Sequence, residues 1–82
     1  MDFFYVYILE SVDDSKIKYY GFTENLHQRL KEHNSGKSPH TSKHRPWRIK
    51  TAIAFTDRVQ ALDFEKYIKS HPGRAFALKH LF

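Results

Sequence analysis

The segment from Phe3 to Glu10 is aromatic or β-branched almost without interruption, as expected of a strand buried on both faces or nearly so. Three turn formers, Asp13, Asp14 and Ser15, separate it from Ile17 to Phe22, where the aromatic pattern resumes. The two runs therefore read as an antiparallel hairpin with a polar loop. Thr23 and Asn25 can each offer a side-chain oxygen to free backbone amides, and Leu26 and Leu30 then follow helical spacing to about Asn34. Gly36 and Pro39 end that helix, since glycine accepts a left-handed cap and proline cannot continue the hydrogen-bonded turn.

Ile49 to Phe55 reads as a third strand, and Asp57 can cap a second helix from Arg58 to Ser70. Pro72 and Gly73 are expected to break that helix before a short C-terminal segment, whose Phe76, Leu78, Leu81 and Phe82 pack back on the body. The order strand, strand, helix, strand, helix predicts an α+β fold, a three-stranded and mainly antiparallel sheet flanked by helices.

With 82 residues the chain has length for a single domain, residues 1–82, and one modest core. A hydrophobic content of 40%, with 16% aromatic residues, is ample for that core and excludes a disordered reading. The absence of cysteine excludes disulfides, thiolate zinc sites and thiol nucleophiles, and is compatible with a reducing compartment. No apolar run approaches membrane-spanning length and the start lacks a secretory pattern, so a cytoplasmic, unprocessed chain is expected. The net charge of +5 favours a polyanionic partner, because Lys and Arg near phosphates release condensed counterions.

That charge is concentrated. From Lys37 to Lys50 there are five Lys or Arg and two His with no acid. Within this loop Lys37, Lys43, Arg45 and Arg48 offer cations, and Trp47 a stacking surface, for a nucleic-acid backbone and an unpaired base; a solvated basic loop is the plainer reading. His40 and His44 have a spacing seen in zinc sites, but His33 is the only other nearby imidazole and no thiolate can complete a closed site.

Strand alternation puts Tyr5, Tyr7 and Leu9 on one face of the first strand and Tyr19 with Gly21 on one face of the second. Arg29 and His33, four residues apart, stack on one side of the first helix beside the Leu26 and Leu30 stripe. Both can reach a cleft shared with the tyrosines; a solvated basic helix face and a tyrosine patch that serves packing alone are the plainer readings. Glu65 stands in the apolar stripe of the second helix, between Ala61, Leu62 and Ile68. A carboxylate there must be paired with a cation, bonded to a hydroxyl or bound to a metal, and an internal salt bridge to Arg29 is the simplest case.

Tyr5-Val6-Tyr7 and Tyr19-Tyr20-Gly21 stand where the GIY and YIG motifs would, and the match continues through Gly21-Phe22-Thr23, Arg29, Glu32-His33-Asn34 and Ala61-Leu62 with Glu65. In order and spacing the chain resembles the GIY-YIG nucleases, above all small single-domain bacterial members and, more distantly, the catalytic domain of a structure-selective junction endonuclease. Tyr5 replaces the first glycine and Tyr20 the central isoleucine, whereas the hydroxyl positions Tyr7 and Tyr19 are kept. The resemblance implies an endonuclease acting on DNA in preference to RNA, in repair or recombination structures, with one Mg²⁺ or Mn²⁺ held by Glu65 and water. It implies that Arg29 grips the scissile phosphate, Tyr7 serves as general base, Tyr19 positions water and His33 relays the proton or orients Tyr7. Members often carry a further polar residue after the metal-binding Glu, for which Lys69 is the nearest candidate. Target choice would then come from a protein partner or a homodimer. The alternative is a catalytically silent nucleic-acid-binding module.

Overall fold

The computed structural model describes residues 2–82. Three strands, β1 (Phe4–Ser11), β2 (Lys18–Thr23) and β3 (Trp47–Phe55), form one antiparallel sheet in the order β2-β1-β3. The central place goes to the most apolar strand, as it must: β1 is flanked on both edges and covered on both faces, with Val6 to Ser11 all buried. Helices α1 (Leu26–Ser35), α2 (Arg58–Lys69) and α3 (His71–His80) complete the α+β architecture, with a 3₁₀ turn at Ser42–His44. Among the described residues no helix is long and apolar enough to cross a membrane.

The pleat of β1 divides the interior in two. Val6 and Ile8 meet Ala61 and Ile68 of α2 and Ala77 of α3, with Phe4, Tyr20, Phe22 and Phe55 around them. Tyr7 and Leu9 face the other way, onto Trp47, Tyr19, Ile49 and the Leu26 and Leu30 stripe of α1. Each fully buried aliphatic side chain such as Ile8 or Ile68 contributes about 1.5–3 kcal/mol, so two small clusters on opposite faces carry the fold.

The pairing of β1 with β3 contains a β-bulge that redistributes residues between these faces. Ile8 pairs with Thr51 but Leu9 pairs with Ile49, so Lys50 is skipped. Since side chains alternate, one skipped residue moves everything before it to the opposite face. Thr51, Ile53 and Phe55 therefore share the α2/α3 side, while Trp47 and Ile49 join the α1 side.

The local signals act as expected at most ends. Asn25 caps α1 by accepting from the Gln28 amide at 3.1 Å, Gly36 closes it at a φ of 83°, and Asp57 caps α2 through the Val59 amide at 2.9 Å. Helix α2 ends ahead of Pro72 and Gly73 as expected, but the short C-terminal segment after it is itself a ten-residue helix, α3, which corrects the two-helix order. Ser70 caps α3 by accepting from the Gly73 amide at 3.2 Å, and proline in a first helical turn loses no hydrogen bond. Gly73 is required by the tight α2–α3 corner, because a Cβ there would overlap the Tyr67 carbonyl and lie 2.7 Å from Ile68 Cα. The segment does pack back, through Ala77 and Leu81.

Candidate active site

Tyr7, at the middle of β1, is the organising side chain. Its register partner on β2 is Gly21, and a Cβ on Gly21 would overlap the Tyr7 hydroxyl and lie 2.5 Å from Cζ. The missing side chain thus lets the phenol ring lie across β2, the outer strand, with its oxygen toward that edge. Tyr19 shares this face, its ring 6.4 Å from that of Tyr7 and 4.9 Å from the His33 imidazole.

The Asn25 cap fixes where α1 begins and hence which of its residues look at the sheet. Arg29 and His33, one turn apart, both reach the Tyr7 hydroxyl. Arg29 Nε–H donates to Tyr7 Oη at 3.3 Å, and His33 Nε2 lies 3.0 Å from the same oxygen. Arg29 is also aimed by Glu32, which accepts from Nη1 at 2.9 Å.

The far side of the imidazole is held from the basic loop. His33 Nδ1 lies 2.8 Å from Thr41 Oγ1, with both residues buried. Thr41 is fixed in turn by its carbonyl, which accepts from the Trp47 indole N–H at 2.9 Å, and Asn34 clamps Trp47 by donating to its carbonyl at 3.0 Å and accepting from its amide. Two buried hydroxyls, those of Thr41 and Tyr7, thus flank one imidazole, and among the described residues neither has another side-chain acceptor, since Arg29 Nε–H is a donor. A neutral imidazole has one N–H and one lone pair, so it accepts from one hydroxyl and donates to the other, while Tyr7 Oη accepts from Arg29 Nε–H in either tautomer.

The electrostatics of the cluster follow from burial. Desolvation lowers the pKa of His33 below its ordinary 6.5, assisted by the Arg29 charge, so the imidazole is neutral near pH 7. Glu32 and Tyr7 together raise Arg29, and the Arg29 guanidinium lowers Glu32, so this pair is fully ionised. Burial raises Tyr7 above its ordinary 10.0; the hydrogen bond and charge of Arg29 oppose this, while Tyr19 and Glu65 add to it. Without a further cation Tyr7 is a neutral phenol.

Glu65 is therefore close enough for its charge to act on Tyr7, although it projects from α2. Its expected salt bridge to Arg29 is not formed. Glu65 pairs with Lys69, one turn on, at 3.1 Å, and its side chain keeps 21% of its surface exposed, because it lies at the margin of the α2 stripe. Among the described residues no group of three or more His, Asp or Glu could together hold a metal ion. A lone, partly exposed carboxylate fits a hard cation such as Mg²⁺, which keeps most of its water and completes its shell with substrate phosphate. It does not fit a closed zinc site.

The proposed nucleic-acid contacts separate. Lys37, Lys43 and Arg45 are exposed on the loop. Trp47 is 4% exposed and its indole N–H is engaged, so it anchors the loop and offers no stacking face, which corrects that expectation. Arg48 is turned by the bulge to the α2/α3 side, where it donates to the buried Glu10 carboxylate at 2.9 Å through Nε, with Lys18 on the same carboxylate at 3.4 Å. The Arg48 guanidinium holds the Glu10 carboxyl below its usual range. Arg48 thus belongs to a charged cluster remote from Tyr7 and His33.

Thr41 is the residue that sequence reasoning passes over, since a threonine in a polar loop carries no periodic or motif signal. A second unanticipated feature is an open groove of about 840 Å³ lined by Lys16, Lys18, Tyr19, Tyr20, Lys69 and Arg74 among others.

A sequence model described as the GIY-YIG catalytic domain matches residues 3–77. The chain is 38% identical to a UPF0213 protein of Lactiplantibacillus plantarum, over 95% of this chain and 77% of that protein. It is 37% identical to the structure-specific endonuclease subunit SLX1 homolog of Giardia intestinalis, over 87% of this chain but 21% of that much longer protein. Among solved structures, the solution NMR structure of the UPF0213 protein BH0048 from Bacillus halodurans superposes with a TM-score of 0.55 at 32% identity, covering 96% of this chain and 84% of that one.

Proposed function

The chain belongs to the GIY-YIG catalytic-domain family, and from that membership we propose that it is a divalent-metal-dependent endonuclease that hydrolyses phosphodiester bonds in DNA. One observation carries this reading: two residues of α1, Arg29 and His33, converge on the phenolic oxygen of Tyr7 in β1, with Glu65 in electrostatic reach.

Arg29 is permanently charged and already faces the phenol, so it binds the scissile phosphate beside it. Tyr7 is the general base. Its phenol proton has one acceptor in hydrogen-bond reach, His33 Nε2, and the phenolate left when that proton moves there is stabilised by Arg29 Nε–H and the imidazolium. His33 orients Tyr7 and relays its proton through Nε2. Tyr19 positions the attacking water over the same face. Glu65 would hold one Mg²⁺ or Mn²⁺, whose positive charge would offset the carboxylate's effect on Tyr7 and favour departure of the 3′ oxygen. The products are a 5′ phosphate and a 3′ hydroxyl. The relative named as a structure-specific endonuclease subunit favours branched DNA of repair or recombination, handled in the cytoplasm with a protein partner or second copy setting the target.

A second reading, a module that binds nucleic acid without cutting, is favoured by the raised pKa of Tyr7 and by the Lys69 ammonium on Glu65. Cleavage of labelled single-stranded, duplex, flap and branched DNA, and of RNA, with Mg²⁺ or Mn²⁺ decides. The nuclease reading expects cutting by the wild type that is abolished in Glu65→Ala and Tyr7→Phe with binding retained. Binding without cutting of any substrate sinks it in favour of the silent module.

A further inference from the structure

We propose that the groove across the outer edge of β2 binds a single-stranded segment of nucleic acid, the strand leading into the Tyr7 site. Tyr19 and Tyr20 are successive residues of β2 and point to opposite faces, yet both line the groove, so it wraps the sheet edge. Lys16 of the β1–β2 loop, Lys18 of β2, where Glu10 also pairs with it, Lys69 at the end of α2 and Arg74 of α3 line it, with no acidic residue in the lining. Lys16 and Arg74 are exposed and form no ion pair among the described residues. Its apolar lining is Tyr19, Tyr20, Leu78 and Phe82, with Phe82 39% exposed and the Lys18 ammonium 4.6 Å from its ring centroid.

Cations and aromatic rings lining one groove suit a sugar-phosphate backbone with unstacked bases, because base stacking tolerates any sequence while the cations track phosphate. A duplex keeps its bases paired inside and leaves those rings unused, so the occupant is a single strand. Two residues join the groove to the site. Tyr19 belongs to both, and Lys69 is the partner of Glu65, so a cation taking over Glu65 frees the Lys69 ammonium for a phosphate on the groove side. Strand binding here stands without catalysis; only the strand's course into the site rests on the nuclease reading.

The test is fluorescence anisotropy with a labelled 12-nucleotide oligo-dT and a blunt duplex of the same length, in EDTA, over a salt series. Lys16→Gln/Arg74→Gln removes two exposed cations and is expected to make the slope of log affinity against log salt shallower by about 1.4, at about 0.7 for each single-strand phosphate contact. Phe82→Ala is expected to weaken oligo-dT binding roughly tenfold with the slope unchanged. Melting curves confirm that all variants are folded. An unchanged slope and affinity in the double variant, or equal losses for oligo-dT and duplex, overturns the proposal. If the binding changes appear as stated but the wild type cuts nothing with Mg²⁺, the groove stands and the nuclease reading falls; if cutting occurs while the slope stays fixed, the reverse holds.

Discussion

Replacing Thr41 by valine exchanges a hydroxyl for a methyl group of nearly equal size at a position 1% exposed, against an imidazole that is 0% exposed. His33 Nδ1 then loses its one partner, and with both residues buried no solvent takes its place. A buried polar atom left without a partner costs about 1–3 kcal/mol, and burial of the added methyl returns about 0.8 kcal/mol. The net loss is about 1 kcal/mol, which for a chain of this length lowers Tm by about 4–8 °C. Thermal unfolding by circular dichroism at pH 7.5 reads that shift, and ¹⁵N NMR of the imidazole reads its cause. In the valine variant the Nδ1 resonance should move as its hydrogen bond is lost; Thr41→Ser should lose packing yet keep the His33 spectrum. If His33 is what orients Tyr7, kcat also falls about fivefold in Thr41→Val, the equivalent of about 1 kcal/mol, and stays near wild type in Thr41→Ser. A valine variant with wild-type Tm and an unmoved His33 spectrum refutes the assigned hydrogen-bond chain.

Gly21→Ala should push the Tyr7 ring off Arg29 and His33, costing about 1–3 kcal/mol from overpacking and most of the cleavage activity, as read by urea unfolding and initial rates; a variant with both unchanged shows that the ring is not held across Gly21. Acidification should destabilise the protein in two stages. His33 has a folded pKa below 6.5, so the native state resists its protonation and stability is lost as pH falls from about 6.5 through that lower value. Glu10 and Glu32, both lowered from 4.5, have stability that is present above that pH and lost below it. Urea midpoints from pH 8 to pH 3 should show both stages, with the upper one absent in His33→Gln; a wild-type midpoint flat from pH 6.5 to 5 contradicts the neutral buried imidazole. Neutralising Lys37, Lys43 and Arg45 should flatten the salt dependence of duplex binding if the loop carries phosphate contacts, whereas Arg48→Gln should act mainly on stability by releasing Glu10. An unchanged salt slope in the triple variant excludes the loop as a binding surface.

The elements of this protein were legible because their causes are local. Aromatic and β-branched residues in an unbroken run made β1 the central strand, side-chain oxygens at Asn25 and Asp57 started α1 and α2, and Gly36 ended α1. Alternation in the hairpin and the spacing of Arg29 and His33 were enough to bring Tyr7, Tyr19, Arg29 and His33 to one face, since side-chain direction along a strand or helix is fixed by its geometry. The rest depended on contacts between distant segments. The odd-numbered alternation from Trp47 to Phe55 continues evenly through Lys50, so nothing in the sequence marks the bulge that sends Trp47 and Arg48 to different surroundings from those expected. Pro72 marks a break or a helix start with equal economy, and only Ser70, Gly73 and the packing of Ala77 decided for α3. Glu65 looked buried because periodicity gives a residue's angle around the helix; how deep that angle lies is set by the sheet beneath. Thr41 meets His33, and Lys16 and Arg74 line one groove, only because distant segments close across the fold, and that closure is a property of the folded chain.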